Sequence, residues 1–435
     1  MPTWNETFVQ TLVTDSGTMR DGEKLARSGA YSGTGCDARS AWGLAKGSGK
    51  SPYQVSIDLN DAATKCSCPS RKFPCKHAVG LMLLLARDNV PTGATPPTWT
   101  STWLDGRERK RESTPAPTKA PDAAAQAKRE AARLAKVTDG VGELRLFLED
   151  LVRQGLSHPA VKSYGFWDRI AARMVDSQMQ PIGRRLRALG GAPFQKKANW
   201  AGLVADEVGR LYALTEAYQR LDTLPELLAY DVRAALGFNL KQEDVLALGT
   251  SVADRWQVLG VQIEQVEQLQ ERRMWLYGEQ TGQYALILDF AHRSRPFDAV
   301  YPPAHWFSGE IVYYPSAYPQ RAVVKSIDSG YTPIPYSSLN LSGTVEDILN
   351  GYADALAVNP FVQYVPAGLQ DGWVTRSDLI DNVGKQLPLA HGAQPQWLNA
   401  VMGGSRLPIF GEWDGSAFLV AGLFTAEGWL PLGDA

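Results

Sequence analysis

The spacing of apolar residues changes along the chain, and each period names an element. Tyr53 to Leu59, YQVSIDL, alternates apolar and polar positions, as a half-buried strand does. NDAA can turn the chain, and TKCSC can run back as a second strand. KHAVGLMLLLARD is apolar almost all round and reads as a short buried helix. Upstream, SGTMRDGEKLARSGAY reads as a helix with Asp21 and Glu23 early and Lys24 and Arg27 late, the order that the helix dipole prefers. From Asp122 the period is helical. DAAAQAKREAARLAKV has high helix propensity, and VGELRLFLEDLVRQG places Val141, Leu144, Leu148, Leu151 and Val152 on one face. Two more helices of similar length follow, and PELLAYDVRAALG closes on a glycine. Beyond that the period falls to two. RWQVLGVQIEQVEQL, RRMWLYGE, QYALILDFA, GEIVYYP, RAVVKSI and SAFLVAGLF are strands separated by Gly, Pro and Ser, with TVEDILNGYADALAVNP as a helix among them.

These periods predict an α+β multidomain chain. An N-terminal unit covers 1–92, with a ββα finger at about 53–88. A Pro- and Thr-rich linker covers 93–121, a helical domain 122–248, and a β-rich domain with a helical insertion 249–435. Trp99 and Trp103 are unusual in a spacer and suggest that part of it docks.

Composition narrows the classes. The 435 residues carry a net charge of −2, so the whole molecule is not a polycation, and nucleic-acid binding would need local patches. No stretch reaches the ~18 apolar residues of a membrane span, and MPTWNETFVQ lacks a basic segment followed by an apolar run. Four cysteines do not make a disulfide scaffold in a chain this long, and a reducing cytoplasm is expected.

Three of those cysteines crowd into KCSCPSRKFPCKH: Cys66-x-Cys68, six residues, then Cys75-x-His77. Three soft thiolates and an imidazole suit one tetrahedral zinc ion, and a set complete in protein ligands makes the site structural. A disulfide would leave an odd thiol, and a C-x-C bridge is poorly oriented. Redox motifs are normally C-x-x-C. Cys36 reads as a packing residue.

C-x-C, a short gap and C-x-H, with a strand before and an apolar helix after, resembles the SWIM zinc finger. WGLAKGSGKSPYQVSIDL leading into CSCPSRKFPCKH is similar to a bacterial group of SWIM-containing proteins, over residues 40–88. The resemblance implies binding to DNA or to proteins, and no catalysis. That bacterial group often accompanies MoxR-type AAA+ ATPases and von Willebrand A-domain proteins, which the resemblance therefore implies as partners.

Charge gives the functional candidates. Lys65, Arg71, Lys72 and Lys76 surround the metal ligands with no acid between Lys65 and His77, so they can neutralise phosphates. Phe73 can stack on a base or simply pack. Residues 169–197 hold seven Lys or Arg against one acid, a possible anion surface or a partner for an acidic domain of the same chain. Residues 271–435 hold nine basic against sixteen acidic residues. KGSGKS mimics a phosphate-binding loop, but Leu44 stands where the first glycine belongs, and the segment precedes a strand. His158, His292, His305 and His391 form no ligand pair, and no nucleophile elbow occurs. The chain is expected to be non-catalytic. It would bind nucleic acid, DNA before RNA, through the finger, or act as an adaptor that grips partner proteins.

Overall fold

The computed structural model describes residues 4–13, 15–47, 51–70, 72–112, 123–194, 200–266, 269–292, 297, 299–335, 338–339, 341, 343–390, 393–425 and 428–430. The class is α+β, with an N-terminal finger region, a helical centre and C-terminal sheets.

The N-terminal part is an antiparallel meander of β1 (Tyr31–Cys36), β2 (Ser40–Ala45), β3 (Tyr53–Asp58) and β4 (Thr64–Cys66). Helix α3 (Lys76–Ala86) packs on the sheet, and α1 (Glu6–Leu12) and α2 (Ser16–Arg27) pack on α3. Enclosed in this way, α3 buries Ala78, Val79, Leu81, Met82 and Leu83, which is why its sequence is apolar nearly all round. Glycines let α2 come close. A Cβ on Gly22 would lie 2.5 Å from Val79 Cγ1, and one on Gly80 would meet the Tyr31 hydroxyl. Asn5 caps α1 and Asp15 caps α2, their side chains accepting from Phe8 N and Thr18 N.

The stretch 93–121, expected as a linker, differs. Residues 98–112 form α4 (Thr98–Glu112), and it docks on the face of β3 away from α3. Thr100 and Leu104 are buried, and the Thr100 hydroxyl bonds Ser56 at 3.0 Å. Arg107, on the same helical stripe, reaches two carboxylates of the β3–β4 hairpin, Asp58 at 3.3 Å and Asp61 at 2.5 Å. Buried acids need a cation, and these positions of the proline-rich stretch supply it. Residues 113–122 lie outside the described residues.

The centre contains α5 (Ala123–Gln154), α6 (Tyr164–Asp176), α7 (Gln180–Gly191), α8 (Trp200–Gln219), α9 (Glu226–Leu236) and α10 (Gln242–Leu248). Val141, Leu144, Leu148 and Leu151 of α5 meet Trp167, Leu186 and Leu211 in one core. Val152, expected on that face, is 66% exposed, because it stands a full 100° of helical turn past Leu151. Gly237 ends α9 at φ 105°.

The C-terminal part has two sheets. The strands β5 (Thr250–Val266), β6 (Leu269–Gly278), β7 (Tyr284–His292), β8 (His305–Tyr313) and β9 (Arg321–Ile327) close into a barrel, because β8 pairs with both β5 and β9. All its pairings are antiparallel except β7 with β9. The short β10 (Thr332–Pro333) extends the sheet at β8. After α11 (Val345–Val358) come β11 (Val365–Val374), β12 (Asp378–Ile380), β13 (Gln386–Pro388), helix α12 (Pro395–Met402), β14 (Leu407–Trp413), β15 (Phe418–Thr425) and β16 (Gly428–Leu430). These strands form the second sheet, in the order β13-β12-β11-β14-β15-β16. Trp275 and Leu259 of the barrel pack with Phe410, Phe424 and Trp429 of that sheet. Inside this contact Glu412 accepts from Arg273 at 2.6 Å and from the Trp275 indole at 2.7 Å.

Candidate metal centre

The hairpin and the start of α3 assemble the four ligands. Cys66 ends β4 opposite Val55, whose side chain is fully buried under α3. Past it, Ser67 N donates to Gln54 O at 3.0 Å and Gln54 N to the Ser67 hydroxyl at 2.9 Å, so the strand pairing continues up to Cys68. Cys75 is the N-cap of α3, and His77 follows in its first turn. The four ligand atoms all lie within 4.8 Å of one another. Cys75 and His77 are buried, Cys66 and Cys68 half-buried. His77 is held from two sides: the Tyr31 hydroxyl donates to its carbonyl at 2.6 Å, and the Tyr53 ring lies 4.9 Å from its own. Its Nδ1 is 4.0 Å from Cys66 Sγ, so this nitrogen faces the thiols.

The thiols are coupled. A hydrogen bond from Cys66 to the Cys75 sulfur draws the Cys75 pKa down to about 4, with His77 and the Ala78 N–H adding to the effect. The same bond, then burial, pushes the Cys66 thiol up. A helix N-terminus favours a thiolate for the same reason it favours any anion. The ligand set fits zinc. Bonds of about 2.3 Å in a tetrahedron set sulfurs roughly 3.8 Å apart, inside the 4.8 Å that bounds the four ligand atoms. Cys66, Cys68, Cys75 and His77 can therefore hold one zinc ion, which would tie the hairpin to α3. Among the described residues no other such group of three or more His, Cys, Asp or Glu occurs. Cys36 is buried in the apolar core and lies outside the cluster.

Comparison with known proteins agrees with this geometry. Residues 53–86 match the SWIM zinc finger, and residues 132–236 match the SWIM-associated four-helix bundle domain. The chain thus carries a SWIM zinc finger followed by the helical domain associated with such fingers. Searches of curated proteins and of solved structures found no match.

The four cationic candidates do not share one surface. Lys65 pairs in register with Ser56, so it projects on the α4 side of the sheet, opposite the metal. Arg71 lies outside the described residues. Lys72 and Lys76 line a cleft of about 860 Å³ beside Cys68 and His77. The other wall of the cleft brings three cations that the local motif does not contain, Arg20 and Lys24 of α2 and Lys46 after β2. Arg20 and Lys24 are four apart on a helix, a spacing visible in the sequence, but nothing local places that helix against the finger. The fold also adds acids. Lys72 bonds Asp15 at 2.9 Å, and this bond, helped by Thr18, holds the Asp15 carboxyl down at about 2. Asp21 sits 3.9 Å from Lys24.

The other candidates resolve differently. Four of the five arginines of the 169–197 run pair within the chain: Arg173 with Glu143, Arg185 with Glu207 at 2.5 Å, Arg187 with Asp168 at 2.9 Å, and Arg184 with Glu271 at 3.9 Å. KGSGKS falls between the paired strands β2 and β3, where a phosphate loop would lead into a helix. His305 is buried in contact with Phe8. His391 lies outside the described residues. No helix among the described residues is long and apolar enough to cross a membrane.

Proposed function

We propose that the protein is a non-catalytic, cytoplasmic nucleic-acid binder, DNA before RNA, working through the cleft beside its zinc finger. One observation carries this reading: Arg20, Lys24, Lys46, Lys72 and Lys76 converge on that cleft from three separate segments. Among the described residues Arg20, Lys46 and Lys76 have no carboxylate within salt-bridge distance, so they are available to phosphates. Zinc would act by fixing the loop that carries Lys72 and the helix that carries Lys76. Three to four phosphate contacts give a log–log salt slope of about −3.

The test is fluorescence anisotropy with a labelled 20-base-pair duplex across a salt series. Replacing Arg20, Lys46 and Lys76 together by Gln should weaken binding at low salt and flatten the slope, with zinc content unchanged. Lys65→Gln, on the far face, should leave binding within twofold. Equal loss in both variants, or none in the triple variant, overturns the reading. A second reading, an adaptor for partner proteins such as a MoxR-type ATPase or a von Willebrand A-domain protein, is favoured by the nine basic against sixteen acidic residues of 271–435. Such a domain repels phosphates within a Debye length.

A further inference from the structure

A cleft of about 760 Å³ lies between the helical centre and the barrel, far in sequence from the finger. Helices α5 and α9 form one wall, and β7 with residues 314–321 and 359–364 the other. Its body is apolar, with Leu134, Phe238, Leu288 and Phe361 among the lining side chains. Leu134 is half exposed there. Volume, apolar lining and position between domains are those of a small-molecule site, which typically occupies about 300–1,000 Å³.

The charges select the ligand. Three guanidinium groups line the cleft: Arg133, Arg233 and Arg321. None has a carboxylate within salt-bridge distance among the described residues. Arg133 is aligned by one bond, to Gly237 O at 2.7 Å, and stacks on Phe238 at 4.8 Å; its Nε is buried without a partner. Arg321 lies over the Tyr314 ring at 4.4 Å. Stacking fixes these cations in place and, apart from the Arg133 bond to Gly237 O, leaves their N–H groups for a ligand. The acids of the cleft do not compensate them. Asp231 is turned to Ser316 and Ala317, from which it accepts at 2.6 and 2.8 Å. Glu130 is itself engaged.

We propose that this cleft binds a small amphipathic anion: an aromatic or aliphatic body of about drug size bearing one carboxylate, sulfonate or phosphate head. The body would lie on Leu134, Phe238, Leu288 and Phe361, and the head would meet Arg133 and Arg321. A ligand seated there touches both domains and so would hold the helical centre to the barrel.

The experiment uses the full chain with 8-anilinonaphthalene-1-sulfonate as fluorescent probe. One saturable site per chain is expected. Decanoate should displace the probe, and decylammonium, with the same tail and the opposite charge, should not. The double variant Arg133→Gln, Arg321→Gln should bind the probe about tenfold more weakly or worse, the scale of a lost charge-assisted contact. Leu288→Asp should abolish binding. Absence of a saturable site, equal displacement by the two ten-carbon probes, or unchanged affinity in the double variant overturns the proposal. If the double variant fails to fold, the competition on the unaltered protein decides by itself.

Discussion

At the residue scale the metal ligands are the most demanding positions. Cys75 caps α3, lies against Cys66 and is 3% exposed, so its sulfur belongs at once to the metal site, the helix start and the core. Metal binding and local folding are one free energy at such sites. Cys75→Ala should therefore lose zinc and loosen the whole N-terminal part, whereas Cys36→Ala, a core thiol outside the cluster, should keep a full equivalent. Elemental zinc analysis and limited proteolysis of the two variants check this, and full zinc retention by Cys75→Ala would refute the ligand set. The four ligands were legible in the sequence because all lie within twelve residues, where spacing and chemistry suffice. The cleft cations were only partly legible. Lys72 and Lys76 sit beside the ligands in the chain, but Arg20, Lys24 and Lys46 reach them through the packing of α2 on α3 and the turn after β2.

At the element scale α4 is the instructive case. Its segment reads as a spacer because Pro, Thr and charge dominate it, and charge in a sequence ordinarily means solvent. Here the charge of Arg107 is the contact. Arg107 is 18% exposed, and the Asp58 and Asp61 side chains 3% and 4%. Removing one partner of a buried pair strands the others, at a cost of about 3–5 kcal/mol. Arg107→Met should destabilise the hairpin by that order and speed hydrogen exchange of the β3 amides. Adding Asp58→Asn and Asp61→Asn should recover much of the loss, and slow exchange in Arg107→Met alone would contradict the assignment. The β-rich part shows the converse limit. Strands such as β7 announce themselves by apolar runs, but β14, LPIFGEW, is buried on both faces and has no alternation to read. In β11, VPAGLQDGWV, Pro, Gly and Asp interrupt the pattern.

At the scale of the whole molecule the parts are joined by specific side chains. Phe8 of α1 packs 5.0 Å from the ring of His305 in the barrel, and Arg210 of α8 donates to the Tyr352 hydroxyl of α11 at 2.8 Å. Burial disfavours a charge on the His305 ring in this contact. Its Nδ1 donates to Pro303 O at 2.8 Å, its Nε2 is buried with no partner, and burial lowers its pKa from the ordinary 6.5. A group whose pKa is depressed by folding contributes stability above its unfolded value and loses it as pH falls through the folded one. The junction of α1 with the barrel should thus be intact above about pH 6.5 and loosen in acid, seen as a rise in radius of gyration by small-angle scattering. His305→Phe, which keeps the ring and cannot charge, should flatten that response. Zinc should be followed in parallel, because acid also protonates its ligands.

The sequence by itself determined the elements with clean periods, the α+β class, the finger and its four metal ligands. Each of these rests on residues that interact within about a dozen positions, so the pattern and the contact are the same information. Only the tertiary structure decided which charges are free. It pairs Lys72 with Asp15, takes up the arginines of α7, turns Lys65 away from the metal and brings Arg20 and Lys46 toward it. It also closes the barrel, since the return of β9 to both β7 and β8 is set by long-range pairing. A charge declares its sign in the chain, but its partner is fixed by distance in space, and that distance exists only once the helices and sheets have packed.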